Sequence, residues 1–256
     1  MSQRVDYDRV ADLYESRYLR NDYSGVEKAL AAFVERARIE RQRVLEVGCG
    51  GGHWLRWLDE ANVNVAGLDP SAGMLNVARS AGGARHLIRG QAEALPCLSG
   101  SVSRVFCVNA LHHFEDPAAF FREARRVLNA DGGLMTVGLD PHTGHDEWWI
   151  YEYFPETLIA DRQRYLPALR IRELMTSSGF DACETRVIQH IPRELTVSEA
   201  MTGGFMNRDA TSQFMVISES EYEAGVKRIH NADAAASGRT TLRSNLRLYG
   251  TTGWAA

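Results

Sequence analysis

A short apolar run that ends in a glycine-rich turn constrains this chain more than any other feature. The run is VLEVGCGGGHW, residues 44–54, in which four of the five positions 48–52 are glycine. The apolar residues before the turn predict a β-strand, and the residues after it predict a helix. Glycine adopts positive φ and lets a ligand approach the backbone closely, while the start of a helix offers unpaired amides. The turn therefore predicts a ligand site between a strand and a helix.

Strand-like and helix-like segments alternate after this turn. Alternation of this kind predicts right-handed crossovers, a largely parallel sheet and an α/β fold. Two helices are expected ahead of the first strand, over 5–20 and 24–38. The expected strands are 43–47, 63–68, 85–89, 104–109, 133–139, 182–191 and Leu242 to Tyr249, and the expected helices are 53–61, 71–80, 117–128, 168–178 and a helical insertion over about 195–236.

Composition narrows the class of protein. The 256 residues are 45% hydrophobic and 24% charged, values typical of a folded globular protein with one main domain. No apolar run is long enough to span a bilayer, and the first residues carry acid where a signal peptide needs an apolar stretch. Four scattered cysteines indicate reduced thiols. We expect a cytoplasmic protein without a membrane span. A net charge of -4 without a basic stripe predicts no nucleic-acid partner.

Two further patterns indicate which ligand the turn holds. The glycines follow a GxGxG pattern, and His53 stands where the dinucleotide fingerprint GxGxxG needs its last glycine. Asp69 ends the second strand about 20 residues after Gly48, the spacing at which an acidic residue binds ribose hydroxyls. Asp69 followed by Pro70 also fits a helix N-cap with proline at the first helical position. Both roles remain open.

Four runs together resemble a known family. They are VLEVGCGGGHW, GLDPSAGML, GQAEALP and VFCVNALHHFEDPAAFFREARRVLNADGGLMTV, in order and in register over about residues 40–140. In these runs the chain resembles the class I S-adenosylmethionine-dependent methyltransferases, most closely the ubiquinone and menaquinone biosynthesis branch (methyltransferase type 11). The resemblance implies a Rossmann-like, seven-stranded, mostly parallel sheet with helices on both faces and a helical cap. It also implies S-adenosylmethionine as the cofactor.

The resemblance implies a set of cofactor-binding residues. Glu46 and the glycines would border the methionine part, Asp69 would take the ribose hydroxyls, and the Asn109 carbonyl would face the ammonium. Gln91 stands where relatives often have an acid, and Ser103 replaces another acid, which puts only a structural contact in doubt. The full set is Tyr14, Glu46, Gly48, Gly50, Gly52, Asp69, Pro70, Met74, Gln91, Ala92, Glu93 and Asn109.

The expected organisation has four parts. Residues 1–40 form N-terminal helices that cover the cofactor site, and residues 41–191 form the cofactor-binding core. Within the core, residues 140–167 form an aromatic segment. Residues 192–241 are a helical cap insertion, and 242–256 hold the last strand and the C-terminus.

Methyl transfer from a sulfonium needs positioning above all, and a general base only when the acceptor must lose a proton. The candidate bases are His112 and His113 after the fourth strand and His142 and His145 after the fifth. The pair His112 and His113 also fits a role in shaping the turn beside the cofactor. The spacing of His142 and His145 is compatible with metal ligands but lacks the helical presentation of known motifs, so no metal is predicted.

The aromatic side chains of residues 140–167 have two open interpretations. Trp148, Trp149, Tyr151 and Tyr153 form either a lid over a ring-bearing or apolar acceptor, where rings also favour a sulfonium, or the buried face of a helix. The helical insertion covers the same mouth, packs as a cap or makes a subunit contact, so a homodimer is allowed.

The sequence thus predicts an S-adenosylmethionine-dependent methyltransferase that transfers a methyl group by in-line displacement to a small-molecule acceptor. Whether the accepting atom is nitrogen, oxygen or carbon is not readable. Two alternatives stay open: a methyltransferase of RNA or protein, and a regulatory module that binds the cofactor without turnover.

Overall fold

The computed structural model describes residues 18, 21–36, 43–82 and 86–255. The predicted helix over 5–20, with Tyr14, therefore lies outside the described residues except for Tyr18. The described helices are α1 (Ser24–Glu35), α2 (His53–Glu60), α3 (Ala72–Ser80), α4 (Pro117–Val127), α5 (Trp149–Tyr153), α6 (Pro155–Arg164), α7 (Ala168–Ser177), α8 (Val197–Thr202), α9 (Ser212–Met215) and α10 (Glu219–Ala235). The strands are β1 (Val44–Val47), β2 (Val65–Asp69), β3 (His86–Arg89), β4 (Val102–Val108), β5 (Leu128–Gly138), β6 (Glu147–Trp148), β7 (Phe180–Thr196) and β8 (Thr241–Ala255).

The strands form one twisted open sheet. Its order is β3-β2-β1-β4-β5-β8-β6, and β7 pairs with the other edge of β8. Strands β1 to β5 run parallel, whereas β8 is antiparallel to β5, β6 and β7. The predicted α/β fold is confirmed, and β6 is a two-residue strand added to the expected seven. The chain order reverses at β1, between β2 and β4, which is where open parallel sheets bind ligands.

Both faces of the sheet are covered by helices because successive strand residues point to opposite sides. On β4, Val105 and Cys107 belong to the core cluster under α4 and α7, while Phe106 belongs to the cluster under α1, α2 and α3. Helix α1 buries Val26, Leu30, Phe33 and Val34, a helical spacing that makes one apolar stripe. A parallel sheet with both faces covered explains why β4 is buried throughout.

Strands β7 and β8 are much longer than the sequence pattern predicts. They pair along their whole length, from Phe180 opposite Ala255 to Thr196 opposite Thr241, with two register irregularities. The paired residues 189–196 and 241–248, which lie beyond the pairing of β8 with β5, are here called the far arms. Residues 192–196, expected in the cap, therefore continue β7, and the cap begins at α8. Many residues of β7 are exposed, so the sequence lacks the regular alternation of apolar residues that would indicate the full length of this strand.

The cap has a core of its own. Helices α8, α9 and α10 pack with α5 around a cluster that contains Phe154, Phe214 and Ile229, all with no exposed side-chain surface. Helices α8 and α10 each begin with a reciprocal capping box, from Thr196 to Glu199 and from Ser218 to Glu221. The cap is thus a small packed layer seated on the far arms of β7 and β8.

Gly67 offers a test of the packing that holds the glycine-rich turn. It lies in β2, and a Cβ added there would approach Leu55 Cδ1 to 2.4 Å and Cys49 Sγ to 2.8 Å. We expect Gly67→Ala to lower the free energy of unfolding by about 1–3 kcal/mol through overpacking. Gly138→Ala is the matched strand control, since a Cβ there meets nothing within 4 Å. Urea unfolding of both variants measures the difference, and equal midpoints would contradict this account.

Candidate functional site

The glycine-rich turn after β1 adopts the left-handed conformation at each glycine of the GxGxG pattern. The φ angles are 75° at Gly48, 52° at Gly50 and 79° at Gly52. A Cβ on Gly48 would lie 2.5 Å from the Ala110 Cβ, so the turn packs against the exit of β4. A Cβ on Gly50 would meet only the Met74 Sδ, at 4.0 Å. Gly50 therefore presents bare backbone with space in front of it.

Asp69 is tied to this turn. Its Oδ2 accepts the Gly50 amide at 2.9 Å, and its Oδ1 accepts the Ser71 amide at 2.9 Å. The interpretation of Asp69 as the cap of the next helix is wrong, because Ser71 is the N-cap of α3 and its Oγ accepts the Met74 amide at 3.0 Å. An ionised carboxylate has about four acceptor positions, so it can accept a pair of hydroxyls as well as two amides.

Glu46 lies in β1 with its side chain 1% exposed. Its charge is felt by Cys107 on β4, where burial first and the Glu46 carboxylate second hold the pKa of the thiol well above its usual range. Glu46 lies two residues before the first glycine of the turn. Burying a carboxylate in the interior of a sheet costs free energy. This cost is typical of a residue kept for a ligand or for turn geometry.

The remaining cofactor candidates lie at the ends of β2 and β3. Met74 and Ala92 are buried, whereas Gln91 is exposed. The Pro70 carbonyl accepts Arg89 Nε at 3.1 Å. Glu93 has a structural task, since its Oε1 accepts the Glu115 amide at 2.7 Å and the Asp116 amide at 3.3 Å, which ties the loop after β3 to the start of α4.

Asn109 ends β4 with a positive φ of 52°, a conformation that asparagine tolerates better than most residues. Its amide donates to the Val137 carbonyl at 2.8 Å. The twist turns the chain away from the sheet directly beside the glycine-rich turn. Asn109 therefore lies at the end of β4, next to the residue that packs against Gly48.

The sequence did not predict two aromatic contacts at the start of α2, those of Tyr18 with His53 and with Trp54. The Tyr18 ring stacks on His53, with centroids 3.8 Å apart and an interplanar angle of 4°. Tyr18 also meets Trp54 edge-on at 5.8 Å. The feature of the sequence that could have indicated them is His53, which begins α2 and stands where the dinucleotide fingerprint has its last glycine. Tyr18, the one described residue of the predicted N-terminal helix, thus contacts the helix that follows the glycines.

A cavity of about 180 Å³, here called the inner chamber, opens beside Asn109. Aromatic and aliphatic side chains form most of its wall, and the β7–β8 arms and the cap close it from the far side. Its lining includes Tyr23, Asn109, His112, Leu139, Trp148, Trp149, Ile150, Tyr165, Ile191, Arg193, Phe205, Thr211, Ser212, Gln213, Ser244, Leu246 and Leu248. A largely apolar chamber with a few polar side chains is a candidate binding site for a small molecule.

The histidines separate into different roles. His112 lines the inner chamber, and its ring stacks on Tyr165 with centroids 3.9 Å apart. Its neighbour His113 contacts the His112 ring at 3.8 Å. His142 Nε2 lies 2.9 Å from the Tyr165 carbonyl, so His142 holds the residue against which His112 stacks. His145 is exposed, and its carbonyl accepts Arg247 Nη1 at 2.8 Å.

The aromatic segment supplies both a wall and a core. Trp148 and Trp149 line the inner chamber and also a wider outer recess of about 550 Å³. Tyr151 lines only the outer recess of these two spaces, and Tyr153 packs on the cap core beside buried Phe154. Packing in a buried core is thus observed for Trp149, with Trp148 and Tyr153 against it, and the lid over an acceptor stays a prediction.

A buried polar network joins this segment to the cap. Asp161 on α6 has no exposed surface, and its carboxylate accepts Tyr151 Oη at 2.6 Å and Gln213 Nε2 at 2.9 Å. Arg164 pairs with the same carboxylate at 2.7 Å and also donates to Ser212 Oγ at 3.1 Å. Burial, followed by the Asp161 charge, holds the pKa of Tyr151 far above its usual range, so the phenol stays a donor. The network fixes the cap end of the inner chamber.

The described part of the chain holds neither a metal-binding cluster nor a membrane-spanning helix. No group of three His, Cys, Asp or Glu side chains is arranged to hold a metal ion there. None of its helices has the length and apolar character that crossing a membrane requires.

Comparison with known proteins shows what the central part of the chain is similar to. Residues 45–136 match the family model described as Methyltransferase domain. The chain is 29% identical over 143 residues to malonyl-[acyl-carrier protein] O-methyltransferase of Legionella pneumophila, covering 54% of this chain and 47% of that protein. It is 33% identical over 117 residues to ubiquinone biosynthesis O-methyltransferase of Pseudomonas aeruginosa, covering 42% of this chain and 49% of the relative.

The chain spans about half the length of the first curated relatives it matches. Among solved structures, phosphoethanolamine N-methyltransferase 2 of Haemonchus contortus, determined with S-adenosyl-L-methionine, aligns with a TM-score of 0.57 and 19% identity. The alignment covers 97% of this chain and 57% of that one. The fold of this chain is therefore similar to that of the Haemonchus contortus protein over most of its length.

The Asp161 network predicts a large and specific loss of stability. Asp161→Asn takes the charge away from buried Arg164, and removing one partner of a buried ion pair costs about 3–5 kcal/mol. Glu173→Gln is the control, because Glu173 pairs with Arg170 at the same i,i+3 spacing but both side chains are about half exposed; it should cost below about 1 kcal/mol. Urea unfolding compares the two, and similar costs would disprove the network's role.

Proposed function

We propose that this protein is an S-adenosylmethionine-dependent methyltransferase that acts on a small molecule. One observation carries the proposal: a left-handed glycine turn, bonded to the carboxylate at the end of the neighbouring strand, packs against Ala110, and the adjacent residue Asn109 lines the inner chamber. The match of residues 45–136 to the Methyltransferase domain and the O-methyltransferase relatives support it. S-adenosylmethionine supplies an activated methyl group when it is bound.

The described residues fit this cofactor. The bare backbone of Gly50 gives a flat approach surface, and Asp69, oriented by two amides, suits a pair of ribose hydroxyls. Asn109, turned by its positive φ, offers a carbonyl for an ammonium group. Buried Met74 gives a soft apolar contact for the adenine side. These assignments include Asp69, Gly50 and Asn109, to which the resemblance gives contacts with the cofactor.

The inner chamber supports a small acceptor. A cavity of about 150 Å³ lined by apolar side chains takes up a benzene-sized molecule, and the chamber is of this order. Walls on several sides hold a small acceptor in place, which is the main contribution that an in-line displacement needs. The net charge of -4 also favours a small molecule over a nucleic acid as the acceptor.

His112 is the histidine best placed to take a proton from an acceptor. It lines the inner chamber, whereas His113, His142 and His145 are not among its lining residues. Stacking on Tyr165 fixes its ring, and His142 fixes Tyr165 through the backbone carbonyl. We therefore assign His112 as the general base for acceptors that must lose a proton, with His142 as a positioning residue.

The cofactor assignment is tested at Gly50. Gly50→Ala should lower the affinity for S-adenosylhomocysteine about tenfold or more, because its Cβ occupies the approach surface; tenfold corresponds to about 1.4 kcal/mol. Gly100→Ala is the matched control, since Gly100 also has positive φ, 67°, and open space around its Cβ. Both variants carry similar backbone strain of about 1–2 kcal/mol. Titration calorimetry measures the affinity, and equal effects of the two variants would argue against the assignment.

The role of His112 is tested with acceptors that carry an O–H group. His112→Gln should reduce kcat about 10²–10⁴-fold, as expected for loss of a general base, without weakening S-adenosylhomocysteine binding. His145→Gln, which alters an exposed ring, should leave kcat unchanged. Production of S-adenosylhomocysteine from a panel of phenols, hydroxy acids and amines measures this. An unchanged kcat in His112→Gln on a phenolic acceptor would remove His112 from the reaction.

A further inference from the structure

Asp140 is a buried carboxylate to which the proposed cofactor and acceptor contacts give no role. It follows β5 by two residues and is 4% exposed. Asp140, His112 and Tyr165 line the same small cavity of about 30 Å³, so the carboxylate lies close to the proposed base. Burying a carboxylate costs free energy unless hydrogen bonds satisfy it. The partners of Asp140 therefore indicate what this cost supports.

Both oxygens of Asp140 accept backbone amides, and the two amides belong to different loops. Oδ1 accepts the His142 amide at 3.0 Å, which is an Asx-turn that sets the direction in which His142 leaves the loop after β5. Oδ2 accepts the Ala168 amide at 2.8 Å, and Ala168 is the first residue of α7. One carboxylate thus joins the loop after β5 to the start of a helix 28 residues further along the chain.

Asp140 supplies a cap that α7 lacks locally. Pro167 occupies the N-cap position of this helix, and no side chain of the N-cap residue bonds the first amides. The first amides of a helix need acceptors from elsewhere, and a negative charge at this end also interacts favourably with the helix dipole. The Asp140 carboxylate meets both needs and holds the start of α7 beside the end of β5.

The short connection between α6 and α7 is therefore held at both ends. Asp140 holds Ala168 directly, and at the other end His142 Nε2 donates to the Tyr165 carbonyl at 2.9 Å. The Tyr165 ring is buried and stacks on the His112 ring, with centroids 3.9 Å apart and an interplanar angle of 14°. A continuous series of contacts thus runs from the Asp140 carboxylate to the face of the His112 ring.

We propose that Asp140 is a positioning residue for His112: it fixes the connection that carries Tyr165, and Tyr165 fixes the His112 ring in the wall of the inner chamber. The inference rests on the proposed function for the role of His112 as a general base. Asp140 is not among the described residues that line the inner chamber, so it acts through Tyr165. Orientation matters here because a displacement of about 1 Å can lower a rate about 10²-fold.

NMR spectroscopy tests the orientation of His112 without turnover. An aromatic ring shields protons that lie over its face, so the His112 ring protons should resonate upfield in the wild type. Asp140→Asn should move them downfield, because an amide has one acceptor oxygen and can hold only one of the two backbone amides. Asp140→Ala removes both acceptors and should give the larger shift. The His112 signals are identified among those of the eight histidines by their loss in His112→Gln.

Asp233→Asn is the matched control. The Asp233 carboxylate also accepts a loop amide, that of Thr240 at 3.1 Å, but Asp233 lines neither the small cavity nor the inner chamber. This variant should leave the His112 signals unchanged. Unchanged His112 signals in the folded Asp140 variants, or an equal shift in Asp233→Asn, would overturn the proposal. Circular dichroism checks each fold, and Asp140→Asn alone serves as the reading if Asp140→Ala unfolds.

Turnover then shows whether the orientation matters for the reaction. With a phenolic acceptor, Asp140→Asn should lower kcat about tenfold to a hundredfold and leave the affinity for S-adenosylhomocysteine as in the wild type. In a Tyr165→Leu background, Asp140→Asn should cause little further loss, because its effect passes through the Tyr165 ring and the two changes are coupled. An unchanged kcat in Asp140→Asn, or losses that simply multiply in the double variant, would rule out the positioning role.

The two proposals fail separately. If Asp140→Asn shifts the His112 signals but the wild type binds neither S-adenosylmethionine nor S-adenosylhomocysteine, the methyltransferase proposal fails and the link from Asp140 to the His112 ring stands. If the wild type binds the cofactor and methylates the acceptor while Asp140→Asn changes neither the His112 signals nor kcat, the positioning role fails and the methyltransferase proposal stands.

Discussion

The hydrogen bond from the Gly50 amide to Asp69 Oδ2, at 2.9 Å, is the contact on which the site depends. It joins the turn after β1 to the end of β2 at the point where the order of the parallel strands reverses. The turn needs residues without Cβ atoms because its φ angles are positive, and the carboxylate needs a buried position to be held by two amides. Neither requirement can be met alone, so the glycines and the acid define the ligand site together.

The second constraint is the length of the β7–β8 pair. In the core these strands complete the sheet, and beyond it their far arms support the cap and one side of the inner chamber. The cap is held by apolar packing around Phe154 and by the Asp161 network, which orients the residues of α9 that line the chamber. The acceptor end of the site is therefore built by elements distant in sequence from the glycine turn.

Much of the core could be predicted from the sequence because its signals are local. The strand-turn-helix at residues 44–54 and the acid at Asp69 follow from backbone conformation and spacing, and the matched domain over 45–136 agrees with that interpretation. The predicted helix over 71–80 agrees with α3 to within one residue, but the sequence left Asp69 open as its cap, because only the tertiary bond to Gly50 shows what that carboxylate holds. Local propensity does not contain that bond.

The chamber could not be predicted in the same way. His112 and Arg193 line the chamber because segments that are far apart in sequence pack together. The full length of β7 is not evident from the sequence because many of its residues are polar and exposed. The two adjacent tryptophans couple the two spaces. Since the indoles of Trp148 and Trp149 border both the inner chamber and the outer recess, they form a wall that the two spaces share. A change of rotamer at either tryptophan would therefore reshape both spaces at once.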